Sequence, residues 1–233
     1  RPDMQCAVKR CAQAVQQPTE LDWSCLKRAV RYLAGTAVTE LRYIKAATTS
    51  HGGKSAAISS VDAWVDSDWA GCRSTRRSTS GGVIMINGSL VSSWSRVQGT
   101  VACSSAEAEY YSMCTGAAEA LYVHSLACSL GFDDLRGKPI VLMTDASAAK
   151  AMAEKDQLPV KVKHMEVRYL HLQQLVRSKR ITLRKVCTDD NISDLLTKIV
   201  ARDTLERLRP RLGLEICDAA GRTALTTGIG ASP

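Results

Sequence analysis

Four carboxylates set beside apolar runs constrain this chain more than any other feature. They are Asp66 in Trp-Val-Asp-Ser-Asp-Trp, Glu109 in Ser-Ser-Ala-Glu-Ala-Glu-Tyr, Asp145 in Leu-Met-Thr-Asp-Ala-Ser and Asp194 in Asn-Ile-Ser-Asp-Leu-Leu-Thr-Lys. A carboxylate packed among apolar residues must be hydrogen-bonded, paired or bound to a metal. Four brought together repel one another unless cations neutralise them. A fold that gathers them builds the chemistry of a divalent-metal site acting on phosphate.

The hydrophobic pattern says how they are gathered. Residues 3–15 read as a helix. Thr19 with Asp22 reads as a capping box opening a second helix, with Trp23, Leu26, Val30 and Leu33 at helical spacing and Gly35 at its end. Residues 40–46 read as a strand, and residues 48–60 as a small, polar linker with a domain boundary near 58. A strand then ends at Asp66. Runs over 82–86 and 90–94 flank Asn87-Gly88, a hairpin turn signal. Ser104 and Glu107 form a second capping box, opening a helix rich in Ala and Gly that Gly131 ends. The apolar run 139–143 reads as a buried strand. A short helix over 147–153, a helix over 164–178 and a strand over 180–186 follow, then terminal helices over 191–212. Residues 213–233 are small and polar and read as a disordered tail. This order predicts an α/β chain: a mixed sheet flanked by helices, preceded by a small helical segment. Strand ends in such a sheet share one edge. Asp66 and Asp145 take strand-end positions, Glu109 sits early in the long helix, and Asp194 opens a terminal helix.

Charge agrees with a polyanionic partner. The net charge is +8, but residues 1–60 carry 9 basic and 4 acidic groups, residues 61–145 carry 6 and 9, and residues 146–233 carry 16 and 10. An acidic middle between basic flanks suits metal chemistry on a nucleic acid held by its phosphates. The nine cysteines are odd in number and contain no Cys-x-x-Cys pair. They read as free thiols in a reducing compartment, not as a zinc site or a disulfide framework. No run reaches the roughly 20 apolar residues of a membrane span, and no signal peptide is visible. The first residue is Arg, as expected of a piece of a longer polypeptide or an incomplete reading frame.

A set of motifs in fixed order carries a family resemblance. They are Arg1-Pro2-Asp3; Pro18-Thr19-Glu20 with Trp23 and Leu26-Lys27-Arg28; Arg31-Tyr32-Leu33 with Gly35-Thr36; and Asp66-Ser67-Asp68-Trp69-Ala70-Gly71. They continue with Arg77-Ser78-Thr79-Ser80-Gly81, Ser104 through Tyr110, Lys163-His164 with Arg168-Tyr169, and Asp194-Leu195-Leu196-Thr197-Lys198. In these the chain resembles the ribonuclease H domain at the C-terminal end of the Pol polyprotein of copia-type (pseudovirus) LTR retrotransposons, over about residues 1–200. The resemblance implies a ribonuclease H-like fold, a mixed five-stranded sheet flanked by helices, over 58–212. It implies that residues 1–57 are the end of the reverse transcriptase, with 213–233 as a tail.

The resemblance also implies the chemistry. Asp66, Glu109, Asp145 and Asp194 become the catalytic, metal-binding carboxylates, with Asp68 read as a turn residue and Glu107 as a cap. Two Mg²⁺ ions, with Mn²⁺ as a substitute, would act on the scissile phosphate of the RNA strand in an RNA–DNA hybrid. RNA is told from DNA by its 2′-hydroxyl. Arg73, Arg76, Arg77, Ser80, Lys161 and Lys163 are candidate contacts to nucleic acid, though any one of these basic groups taken alone is an ordinary surface charge. His164 and Arg168, at i and i+4, either face the nucleic acid or pack a helix. The partners implied are the hybrid and the upstream reverse transcriptase, with no membrane, inside the cell in a cytoplasmic virus-like particle or the nucleus. The chain departs from the family at Gly99, at Ala146 where Asn is usual, and at Leu170-His171. The alternatives are a degenerate, catalytically inactive nucleic-acid-binding module and, less well matched, an integrase-like nuclease.

Overall fold

The computed structural model describes residues 1–44, 60–72, 74–155 and 166–217. The linker and boundary expected near 58, the tail beyond 217, and Arg73, Lys161, Lys163 and His164 lie outside the described residues, as does the side chain of Arg168.

Two helices open the chain, α1 (Pro2–Gln13) and α2 (Glu20–Gly35). Thr19 caps α2 as expected: its hydroxyl accepts from the Asp22 N–H, and its own N–H donates to the Asp22 carboxylate at 2.9 Å. A polar knot ties the two helices. Tyr32 Oη donates to Asp3 Oδ2 at 2.7 Å, and Arg1 reaches both Asp3 and the Thr36 carbonyl at 2.8 Å. The family motifs around Arg1, Asp3, Tyr32 and Thr36 therefore serve local structure.

The central sheet contains β2 (Val61–Asp68), β3 (Thr79–Ile86), β4 (Ser89–Val97), β5 (Ile140–Thr144) and β6 (Ile181–Lys185), in the order β4-β3-β2-β5-β6. The first three strands are antiparallel; β5 runs parallel to β2, and β6 parallel to β5. This is the mixed five-stranded sheet that the sequence implied. A bulge breaks the β3–β4 ladder between Ile84 and Met85, leaving Val91 unpaired in that register. The hairpin turn falls at Asn87 and Gly88, both with positive φ.

Between the strands come α3 (Ser105–Ser129), α4 (Ser147–Glu154) and α5 (Glu166–Arg177). They cover one face over a core of Ala63, Val65, Ile84, Trp94, Tyr110, Met113, Leu142 and Leu172, among others. The other face is covered by the C-terminal segment: α6 (Asp194–Thr197), α7 (Arg202–Leu208) and the residues after it, packing Leu195, Leu196, Leu208 and Leu212 on Val83 and Met85. Strand β3 is consequently buried on both faces. The N-terminal helix α1 packs against β4 and α6.

Three sequence expectations are corrected. Of the strand read over 40–46, residues 45 and 46 lie outside the described residues, and the described part is the shorter β1 (Thr39–Leu41), which pairs antiparallel with β7 (Leu214–Ile216). Order thus runs past residue 213, where the tail was expected to begin, because Leu214 buries into the second core. The strand before the first carboxylate continues two residues past Asp66, to Asp68.

Candidate active site

Close packing on β2 builds the site. Gly116 lies two turns beyond Glu109 on α3, and a Cβ there would stand 2.3 Å from Val65 Cγ1. The bare glycine lets α3 lie on β2 next to Asp66. Ser112, on the same face, donates its hydroxyl to the Asp66 carbonyl at 2.6 Å. On the other side Gly81 pairs with Asp66 in the ladder. A Cβ at Gly81 would stand 2.7 Å from Thr197 Cγ2 and 2.8 Å from Leu196 Cβ. Its absence lets α6 come down on β3 beside Asp66.

Asp66, Glu109 and Asp145 converge, with one carboxylate oxygen from each within 4.8 Å of the others. Asp145 follows the last residue of β5, in a turn where the Thr144 hydroxyl accepts from the Ala146 N–H at 3.1 Å. Glu109 Oε1 accepts from the Ser67 N–H at 3.2 Å, while its Oε2 is buried with no hydrogen-bond partner. Asp194 joins through a cation: Lys198 Nζ lies 3.3 Å from Asp66 Oδ2 and 3.2 Å from Asp194 Oδ1. The Thr197 hydroxyl also donates to Asp66 Oδ2.

The electrostatics are those of crowded carboxylates. Burial, together with the charges of Asp194 and Asp145, pushes Asp66 up to about 7 against the opposing Lys198 ammonium and Thr197 hydroxyl. Burial and the charges of Asp66 and Asp145 push Glu109 up to about 8. Burial also raises Asp194, against Lys198. For Lys198 burial works downward, but the Asp66 and Asp194 carboxylates more than reverse it, so the ammonium form is held. A buried oxygen without a donor, amid carboxylates that resist ionising, fits a divalent cation with hard oxygen ligands.

The other expected residues divide. Arg76 and Arg77 are exposed in the β2–β3 connection, at the end of β2 that carries Asp66. Ser80 is a correction: it is buried in β3, and its hydroxyl accepts from Gln98 Nε2 at 2.8 Å, so it offers nothing to a surface ligand. Asp68 lies over the turn, where its Oδ2 would stand 1.9 Å from a Cβ at Gly71. Glu107 has its N–H on Ser104 Oγ, and its carboxylate accepts from the Cys103 N–H at 2.8 Å. Sequence reasoning missed Asn191 and Lys198. The fully buried Asn191 donates through Nδ2 to the Val65 carbonyl at 3.1 Å and to Asp145 Oδ1 at 3.4 Å, which holds the loop before Asp194 to the cluster. Lys198 had a signal: its i,i+4 spacing from Asp194 puts both on one helical face.

No protein-family model matches the chain. It is 31% identical over 214 residues, 92% of its length, to the retrovirus-related Pol polyprotein from transposon RE1 of Arabidopsis thaliana. It is 30% identical over the same span to that from transposon RE2 of the same plant. The chain belongs to the retrovirus-related Pol polyproteins of transposons. It spans 14% of the length of these two Pol relatives. Among solved structures, LC11-RNase H1, isolated from compost by a metagenomic approach, superposes with a TM-score of 0.44 at 13% identity, covering 64% of this chain and 98% of that one. The mixed five-stranded sheet flanked by helices is the fold that the motif resemblance implied. None of the nine cysteines of this Pol segment forms a disulfide. Among the described residues no helix is long and apolar enough to cross a membrane.

Proposed function

We propose that this segment of Pol is an endoribonuclease that cleaves the RNA strand of RNA–DNA hybrids with divalent cations held by Asp66, Glu109, Asp145 and Asp194. The observation that carries the reading is the meeting of Asp66, Glu109 and Asp145 within 4.8 Å at one end of β2 and β5, with a buried Glu109 oxygen left without a donor. Mg²⁺ bound there supplies positive charge for the scissile phosphate and a water of lowered pKa. The chain's own groups hold and orient. The Ser67 N–H fixes Glu109, Asn191 fixes Asp145, and the Ser112 hydroxyl fixes the backbone of Asp66. Arg76 and Arg77 meet phosphates of the hybrid beyond the end of β2. Within the cell the segment works with the reverse transcriptase part of the same polyprotein, removing RNA as DNA is made.

The test is incubation of the purified chain with an end-labelled RNA–DNA hybrid and Mg²⁺. The expected result is cleavage of the RNA strand alone, lost in Asp145→Asn. A folded wild type that leaves the hybrid intact, as the variant does, overturns the reading.

One observation favours a second reading. Both oxygens of Asp66 are engaged by Thr197 and Lys198, as suits a module that binds hybrid without cutting it. Hybrid binding that ignores Mg²⁺ and yields no product would establish that reading.

A further inference from the structure

The four carboxylates are not equivalent in their protein surroundings. Glu109 has a buried Oε2 with no donor, and one of its carboxylate oxygens lies within 4.8 Å of oxygens of Asp66 and the half-buried Asp145. A cation arriving there meets the Lys198 ammonium at one of its carboxylates only, Asp66. Between Asp66 and Asp194, by contrast, an ammonium is already in place, 3.3 Å from one and 3.2 Å from the other. Its position is built in. Lys198 ends α6 four residues after Asp194, and its N–H donates to the Asp194 carbonyl at 3.1 Å. The Thr197 hydroxyl on Asp66 and the close fit of α6 on Gly81 hold that helix against the sheet. The lysine side chain is 38% exposed, so its stem can swing outward.

We infer that Lys198 is a built-in counter-cation that makes the Asp66–Asp194 side of the cluster the weaker of two metal positions. The inference rests on the metal reading proposed above and adds an order of filling to it. The first divalent ion takes the Glu109 side. The second must expel the ammonium from two carboxylates, and the two cations compete as ligands for the same oxygens. Lys198 is thus a positioning residue. It keeps Asp66 and Asp194 in place while no metal is bound and sets how much free metal fills the second position.

Mn²⁺ titration of the whole chain, followed by loss of the free-ion electron paramagnetic resonance signal, reads this without substrate or turnover. The wild type is expected to bind in two phases. In Lys198→Met the second phase moves to lower Mn²⁺ by about tenfold, within the roughly 5–150-fold usual for coupled ligands, and the first phase stays within about twofold. Lys198→Arg, which keeps the charge, retains the wild-type separation. Asp194→Asn loses the second phase and keeps the first. If Lys198→Met fails to fold, Lys198→Gln serves as the uncharged variant. Two phases that stay put, or move together, in the uncharged variant overturn the inference and leave the metal reading standing. A wild type that binds no Mn²⁺ overturns both.

Discussion

Helices α2 and α3 teach opposite lessons about what a helix in this chain is for. Helix α2 has a regular apolar stripe and a complete capping box, yet buries no residue: Trp23 is 54% exposed, Leu26 39%, Val30 56% and Leu33 45%. Helix α3 has apolar and small residues on every side, yet buries Ala108, Tyr110, Met113, Ala117, Ala120 and others against the sheet, and it carries Glu109. A stripe shows that a helix has a face to cover. Small residues such as Gly116 show that something covers it at close range.

The largest expected contrast is in activity. Removing a group that only hydrogen-bonds to a metal ligand typically costs about 10–100-fold, so Glu109→Gln on α3, which alters a proposed ligand itself, is expected to lower hybrid cleavage by more than that. Single-turnover assays at saturating Mg²⁺ check it, with circular dichroism confirming the fold. Val30→Ala on α2 in the same assay is expected to stay within about twofold. A Val30 variant as damaged as the Glu109 variant would erase the distinction between the helices.

Stability sharpens the comparison through two glycines. Alanine is favoured over glycine inside a helix by roughly 1 kcal/mol. At Gly35, the last residue of α2, an added Cβ meets nothing within 4 Å, so Gly35→Ala is expected to stabilise by about 0.5–1 kcal/mol. At Gly116 the added carbon stands 2.3 Å from Val65 Cγ1. Overpacking of that kind costs about 1–3 kcal/mol, so Gly116→Ala is expected to destabilise despite the better propensity. Urea unfolding measures both, and equal signs for the two variants would break the argument.

Much of this was legible beforehand because local signals agreed with the tertiary outcome. The Thr19 capping box, the Asn87-Gly88 hairpin and the succession of strands and helices rest on short-range chemistry, and three of the carboxylates meet because they sit near the ends of those elements. At Ser104 the cap differs from the box expected: its hydroxyl accepts from the Glu107 N–H, but the Glu107 carboxylate accepts from the Cys103 N–H. The other failures were long-range. The β1–β7 pairing joins segments more than 170 residues apart, and nothing at Leu214 announces a partner at Leu41. Ser80 lies in a family motif, but only the two-sided burial of β3 takes it away from the surface. Nothing at Asn191 announces its targets, since the Val65 carbonyl lies in β2 and Asp145 just beyond β5.

The pH dependence of stability separates the two ends of the molecule further. Asp66 is raised from 3.8 to about 7 and Glu109 from 4.5 to about 8. An acid raised by folding holds its proton more tightly in the native state than in the unfolded one. The metal-free fold is therefore expected to lose stability as pH rises from about 4 toward 8, with no further loss from these groups above that. Mg²⁺ is expected to flatten the decline, because it stabilises the ionised cluster. Thermal melting from pH 5 to 9, with and without Mg²⁺, measures it. At the exposed Asp22 of the α2 cap the shift is downward, through its bonds to Thr19, so that end gains stability as pH rises through the acidic range. A metal-free melting temperature that climbs from pH 6 to 8 would contradict the assignment of crowded, buried carboxylates.

The smallest effect expected lies at a helix start beside the site. Helix α2, which packs on little, is fully capped by Thr19, whereas α4, which opens two residues after Asp145, has Ala146 at its N-cap and no side-chain cap. Ala146 holds the extended backbone of an N-cap, at φ −80° and ψ 91°, so a capping side chain fits without moving the chain. Replacing Ala by Asn at such a position gains about 0.5–2 kcal/mol. Part of that is offset here because Ala146 packs against the main core. Ala146→Asn is thus expected to stabilise at the low end of that range, with Thr19→Ala losing about 1 kcal/mol as the reverse experiment. The same variant bears on the site, since the added amide stands next to Asp145. A gain in urea midpoint with unchanged Mn²⁺ binding makes residue 146 a cap alone. Tighter metal binding without any gain in stability would instead mean that the side chain turns toward Asp145 and away from the helix.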